Sequence, residues 1–413
     1  MRKAPNIGTD QTQGYAALLA HNFDTIQECF NLRINSDLEA RLEAGKNDAY
    51  QTHEKQGALF YFGLKEFQIW PSASAGNKWV LENDDIQIHI ASPNRNWAVI
   101  VRYKSAGLWE HGALKMRAFA LQVLLDECAP LEQVKVLDED GQVMYDDKKQ
   151  AITETIVSNK EKIDKWRVLT RADYAFDFLS PLFSREMEFK DIDKNVVASS
   201  GIKIGTVGTS KRLETLTIGM GKAGLQIQIY DKGREMREKA HKKWMYKVYE
   251  QEGYYPEEGA KGRDIWRVEI RMKKDFLKPR NLRSFEKLLE VIEDTLCEAL
   301  MNRRLCVRGA GKRERWPLHA LWAEVYQASG SSGQYVPIGR QLSFERREEL
   351  LEILQKQMAG LMRASAVLQY GNYSDEYSKL LFKDSMDMIH MDTKHENKVF
   401  ECVERYRFFD EAH

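Results

Sequence analysis

The chain has 413 residues, and its 62 lysines and arginines balance 62 aspartates and glutamates, so the formal net charge is zero. With 43% hydrophobic and 30% charged residues it has the composition of an ordinary globular protein, long enough for two or three domains. That excludes a uniform polycation, and no apolar run nears the roughly 18 residues of a membrane span.

The first ten residues, Met-Arg-Lys-Ala-Pro-Asn-Ile-Gly-Thr-Asp, lack the apolar segment of a secretory signal, so a cytoplasmic protein is expected. The five cysteines (Cys29, Cys128, Cys297, Cys306, Cys402) are scattered and form no Cys-x-x-Cys pair. They are expected to be reduced and structural.

In chain order, residues 1–55 predict a polar start followed by helix, with apolar residues at helical spacing over 15–30 and 36–44. From Gly57 the pattern turns to strands. Residues 58–70 are rich in aromatics, and 86–90 and 97–103 alternate and are β-branched, with Pro93-Asn94 marking the turn between them. Residues 112–127 predict an amphipathic helix, and 138–149 a polar hairpin or loop.

A second unit of similar grammar begins at Trp166. It predicts strands over 166–178, 213–219 and 225–231, a basic helix over 233–250, a strand over 263–273 and a long helix over 284–303. Beyond residue 308 the windows 316–326, 344–368 and 374–403 are helical in pattern, separated by Gly/Ser-rich 329–333 and by Gly371.

The fold class expected is therefore α+β: pseudo-duplicated antiparallel sheets packed with helices, plus a helical C-terminal module. The expected organisation is an N-terminal helical segment (1–55), a first sheet-plus-helix unit (56–150), a second, catalytic one (151–308) and the helical module (309–413).

Three strands of the second unit carry the chemistry. In Leu-Gln-Ile-Gln-Ile-Tyr-Asp (225–231) alternation sets Leu225, Ile227 and Ile229 against Gln226, Gln228 and Tyr230. Lys232 follows two residues after Tyr230, and Gly233 is expected to permit a turn into the next helix. In Thr-Arg-Ala-Asp-Tyr-Ala-Phe-Asp-Phe (170–178) one face holds Arg171, Asp173, Ala175 and Asp177. In Trp-Arg-Val-Glu-Ile-Arg-Met (266–272) one face holds Arg267, Glu269 and Arg271.

Side by side, these faces would group a tyrosine, a lysine and three carboxylates. Hard oxygen ligands of that kind suit a divalent cation such as Mg²⁺ or Mn²⁺. The competing reading is a solvent-facing sheet laced with cross-strand ion pairs. The nine histidines are isolated, and Gly309-Ala-Gly-Lys312 lacks the spacing and hydroxyl of a phosphate-binding loop, so nucleotide hydrolysis is not expected. His241 and His319 read as surface or packing residues.

With these segments assembled, the chain resembles the rolling-circle replication initiators of the Rep-trans type, found on plasmids and filamentous phages, and related relaxases. The matching pieces are 170–178, Ile-Gly-Met-Gly-Lys…Ile-Tyr-Asp-Lys-Gly-Arg-Glu (218–235) and Trp-Arg-Val-Glu-Ile-Arg (266–271). The resemblance implies a bacterial, metal-dependent enzyme that nicks origin DNA, single-stranded or extruded as a hairpin. A tyrosine joins the 5′ end and frees a 3′-hydroxyl for priming.

Carried over, Tyr230 is the nucleophile, ahead of Tyr246 and Tyr249, and Lys232 assists it at a phosphate. Asp173 and Glu269, then Asp177, are the metal ligands. Arg171, Lys222, Arg234, Lys242, Lys243, Arg267 and Arg271 are expected to meet DNA. A host helicase and a second copy of the chain are candidate partners, and a membrane is not. The alternatives are a hydrolytic metal-dependent nuclease and a DNA-binding protein without catalysis.

Overall fold

The structure is a computed structural model. It describes the chain except residues 1, 4–14, 52–56, 74–75, 93–96, 139–141, 147–150, 187–191, 210–211, 222–223, 240–241, 243, 252, 256–263, 331–333, 336–339, 343, 373, 392–405 and 409–413. The chain forms two compact units, one of residues 3–278 and 282–335, the other of residues 1–2, 279–281 and 336–413.

The larger unit is built on one antiparallel sheet of eleven strands. In chain order these are β1 (Ala17–Phe30), β2 (Ala58–Phe62), β3 (Lys65–Ile69), β4 (Asn77–Glu82), β5 (Ile86–Ala91), β6 (Val99–Tyr103), β7 (Arg167–Leu179), β8 (Ile204–Thr209), β9 (Arg212–Ile218), β10 (Leu225–Asp231) and β11 (Ile265–Lys273). Across the sheet the order is β8-β9-β10-β11-β7-β1-β6-β5-β4-β3-β2.

That order is the same motif twice. In each half a long first strand (β1, β7) takes the centre, the last strand (β6, β11) pairs beside it, and the strands between them start at the sheet edge and step inward as hairpins. The expected duplication is thus present as topology. The two halves share one sheet, because β1 and β7 pair with each other.

Helices follow the last strand of each half: α1 (Ser105–His111) and α2 (Ala113–Glu127) after β6, α5 (Phe285–Glu290) and α6 (Ile292–Asn302) after β11. The apolar sides of β7, β10 and β11, with Ala172, Phe176, Ile227, Ile229, Val268 and Ile270 fully buried, form the core of the second half. Each of these side chains larger than alanine contributes about 1.5–3 kcal/mol. Phe285 closes this face, its ring 5.2 Å from that of Phe23 on β1.

Several sequence expectations are corrected. Residues 17–30 form the central strand β1 rather than a helix. β1 pairs on both sides, and its register against β7 shifts three times. Two of these shifts leave an extra residue on β1, Asp24 and Leu19, and each resets its alternation, so the period-2 signal is broken and only the Ala/Leu-rich composition is left to read.

The basic helix expected over 233–250 is instead two short ones, α3 (Lys232–Glu238) and α4 (Met245–Gln251). Met236 and Met245 both enter one cluster with Leu19, Ala20, Tyr249 and Ile265. Nine residues apart on a continuous helix they would point about 180° apart, so the break is what lets both reach the core. The helix expected over 284–303 likewise breaks at Val291 (φ −128°, ψ 24°) into α5 and α6. The turn at Pro93-Asn94 lies outside the described residues.

The smaller unit contains the helices Phe344–Tyr370 and Asp375–Met391, joined by a stack of Tyr370 on Tyr377 at 4.4 Å. No helix among the described residues is long and apolar enough to cross a membrane. Cys29, Cys128, Cys297 and Cys306 are free thiols, and Cys402 lies outside the described residues. His319 caps the helix Ala320–Ala328, its Nδ1 accepting from the Leu321 amide at 3.1 Å.

Candidate active site

The four strands β10, β11, β7 and β1 are neighbours, and their register sets the polar residues in rows. Tyr230 faces Arg267, which faces Asp177. One row on, Gln228 faces Glu269, which faces Ala175. In the next, Gln226 faces Arg271, which faces Asp173. Residues directly opposite lie about 5 Å apart at Cβ, and a long aromatic reaches the next row diagonally. Tyr230 does so, its hydroxyl donating to Glu269 Oε2 at 3.2 Å.

Beneath Tyr230 lies a buried charge network. Arg267 is fully buried, and donates through Nε to Asp177 Oδ1 at 2.6 Å and through Nη2 to Oδ2 at 2.7 Å. Its Nη1 reaches Asp24 on β1 at 2.5 Å. The Tyr249 hydroxyl donates to Asp177 Oδ2 at 2.8 Å, and Ser105 donates to Asp24 at 2.7 Å. Trp109 lies under the guanidinium, 5.4 Å away. Helices α1, α3 and α4 therefore cover this end of the polar face.

Burial opposes the charge on Arg267, but Asp177, Tyr230 and Asp24 outweigh it and hold its pKa well above the usual arginine value. Arg267 is expected at a phosphate and Asp177 at a metal. The structure gives both to each other, and Asp177 to Tyr249 as well. They position the row; neither is open to a ligand.

Lys232 is 1% exposed and donates to Glu235 Oε2 at 2.7 Å, with its Nζ 5.9 Å from the Tyr230 ring centroid. Asp231 places it: that carboxylate accepts from the Arg234 amide at 2.8 Å and caps α3, so the helix starts one residue after the strand ends. Gly233 lies within the first turn of α3 and supplies no left-handed turn.

Burial works to raise Glu235, yet Lys232, with Lys239 and Lys242, holds its carboxyl down at about 2. Burial, then the Arg267 charge, lower the Lys232 ammonium despite its carboxylate neighbours. Glu286 is likewise held at about 2: burial opposes, and Arg117 and Ser284 outweigh it. A carboxylate whose folded pKa lies below its unfolded value stabilises the fold above the unfolded value and loses that as pH falls. Urea midpoints are therefore expected to drop between about pH 4.5 and 2. Glu235→Gln should flatten part of that drop.

At the other end of the face each remaining carboxylate carries a guanidinium. Arg171 Nε donates to both oxygens of Asp173 at 2.9 Å, and Arg271 Nε donates to Glu269 Oε1 at 2.6 Å. Asp173 and Glu269 are buried, while the two arginine side chains are 25% exposed. Burial raises Asp173 above the usual carboxylate range even with Arg171 beside it. Burial also pushes the Tyr230 phenol well above its ordinary value; Arg267 pulls it down, and Glu269 and Asp24 push it up. The phenol is therefore protonated at rest.

A divalent cation does not fit this arrangement. Among the described residues no three His, Cys, Asp or Glu side chains converge to hold one. The oxygens of Asp173 and Glu269 already accept from Arg171, Arg271 and Tyr230, and a cation placed there would meet two guanidiniums at close range.

Of the other residues expected at DNA, Arg234 pairs with Glu214 and with Glu238, the latter at 2.6 Å, and Lys242 is half-buried near Asp24 and Glu235. Lys222 and Lys243 lie outside the described residues, as does His241. Asp24 had no signal of its own in the sequence, because its strand reads as helix.

No protein-family model and no curated protein matches the chain. Among solved structures the fold is similar to that titled "Structure of Rolling Circle Replication Initiator Protein from Geobacillus stearothermophilus", at 14% identity and a TM-score of 0.40, over 76% of this chain and 97% of that one.

Proposed function

We propose that this protein cuts and rejoins a DNA strand through a covalent Tyr230 intermediate, as an initiator of rolling-circle replication. The observation that carries the reading is the 3.2 Å hydrogen bond from the Tyr230 hydroxyl to Glu269 Oε2, on a sheet face that also presents Arg171 and Arg271. A phenol held neutral by burial needs a base at the moment of attack, and Glu269 is already in position to accept its proton.

As the phenolic oxygen bonds to phosphorus, the bond to the 3′-oxygen breaks and its electron pair leaves with that oxygen. The 3′-oxygen takes a proton from water, and Glu269 later returns the phenolic proton to solvent. Rejoining is the same exchange in reverse. Arg267, Asp177 and Tyr249 hold the row in which Tyr230 stands, and Lys232 sits beneath its ring.

The test is a denaturing gel of protein incubated with single-stranded and hairpin oligonucleotides, run before and after protease. A protease-sensitive adduct that Tyr230→Phe removes supports the proposal. Cutting without an adduct identifies a hydrolytic nuclease, and binding without cutting identifies a platform without catalysis; either overturns it.

Binding itself should fall steeply with salt, since lysines and arginines on phosphate release counterions. Lys242→Ala is expected to weaken binding equally across sequences. It should also reduce the slope of log affinity against log salt by about 0.7 on single-stranded DNA, measured by fluorescence anisotropy.

A further inference from the structure

We propose that Arg171 and Arg271, rather than a divalent cation, hold the phosphate that Tyr230 attacks. The assignment rests on the Tyr230 reading and adds to it the group that neutralises the phosphate. The two arginines project from adjacent strands, β7 and β11, in neighbouring rows of the polar face, with Asp173 opposite Arg271. Both are part-exposed, whereas the carboxylates that hold them are buried. The guanidiniums therefore form the accessible surface of the cluster, and a ligand arriving there meets cations with acids behind them. Planar guanidinium groups match phosphate oxygens in pairs, and unlike lysine they stay charged when partly desolvated.

The cluster also links binding to proton transfer. Glu269 is shared, Oε1 accepting from Arg271 and Oε2 from the Tyr230 hydroxyl. A phosphate that draws the Arg271 guanidinium outward takes a cation from Glu269 and makes that carboxylate a better base for the phenol it already touches. Substrate thus switches on the base, and an empty site keeps phenol and carboxylate quiescent.

The experiment compares adduct formation by the full chain in EDTA and in Mg²⁺, and titrates Mn²⁺ by electron paramagnetic resonance. Equal adduct in EDTA and Mg²⁺ is expected, with no stoichiometric Mn²⁺ site in the wild-type protein. Arg171→Gln and Arg271→Gln are each expected to slow adduct formation by about 10²–10³-fold, as loss of a preorganised charge donor does. Arg271→Lys, which keeps the charge and stays closest to the native fold, should recover part of it. The Arg171→Ala/Arg271→Ala pair, which bares Asp173 and Glu269, should acquire weak Mn²⁺ binding that the wild type lacks.

Adduct confined to metal-containing reactions, or a tight wild-type Mn²⁺ site, overturns the arginine assignment and leaves the Tyr230 reading standing. No adduct in any buffer overturns both.

Discussion

Tyr230→Phe is expected to give a folded protein that still binds single-stranded DNA and forms no covalent adduct. The substitution removes one hydroxyl, and its hydrogen bond to the Glu269 carboxylate is worth about 1.5–3 kcal/mol net. Glu269 keeps Arg271 as partner, so no buried charge is stranded. Stability should fall by no more than that bond, while the covalent step loses its nucleophile outright.

The neighbouring phenols do not replace it. Tyr249 is fully buried, with its hydroxyl on Asp177. Tyr246 packs against the Met236–Met245 cluster on the following helix. Adduct that survives Tyr230→Phe and disappears in Tyr246→Phe would move the nucleophile to α4. Glu269→Gln supplies the companion measurement: an amide still fills the site but cannot take the proton, so the rate should fall by about 10²–10⁴-fold. A loss confined to affinity would instead make Glu269 a tether for Arg271.

Three polar strand faces could be read from alternation alone, because β7, β10 and β11 keep their alternation through the residues that matter, from Arg171 on in β7, against a largely buried apolar side. Their adjacency was legible only as a hypothesis, since antiparallel neighbours are fixed by hairpins and crossovers that leave no local mark. The central strand β1 looks helical in sequence for a definite reason. Its bulges scramble the period while its Ala and Leu residues suit a helix, and non-local pairing on both edges overrides that propensity.

With β1 went Asp24, and with Asp24 the meaning of Arg267. A sequence shows that an arginine lies between acids on neighbouring strands. It does not show that two carboxylates from different strands saturate it. The same holds for Asp173 and Glu269: their residue types suggest ligands for a cation, and only the side-chain geometry reveals that Arg171 and Arg271 already occupy them. The break between α3 and α4 was within reach, because Met236 and Met245 sit on opposite sides of any continuous helix. The basic residues between them masked it.

Arg267→Met is expected to cost the fold about 3–5 kcal/mol, the usual result of removing one partner from a buried ionic cluster. Asp177 would keep only the Tyr249 hydroxyl as a hydrogen-bond donor and Asp24 only Ser105 and Trp109, two buried carboxylates that lose their guanidinium and retain the more distant charge of Lys232. Urea denaturation should show a lower midpoint at unchanged slope. Arg267→Met combined with Asp177→Leu should recover much of the loss, because a buried pair replaced by apolar groups of similar size is often nearly neutral. The remaining deficit belongs to Asp24, which has lost its guanidinium partner. That double variant separates stability from function. Arg267 ties together β11, β7 and β1, and Tyr230 stands directly opposite it on β10. If the cluster serves only to hold the sheet, restoring stability restores the adduct. If it sets where the phenol stands relative to Glu269, the stabilised double variant folds, binds DNA and remains slow in the covalent step.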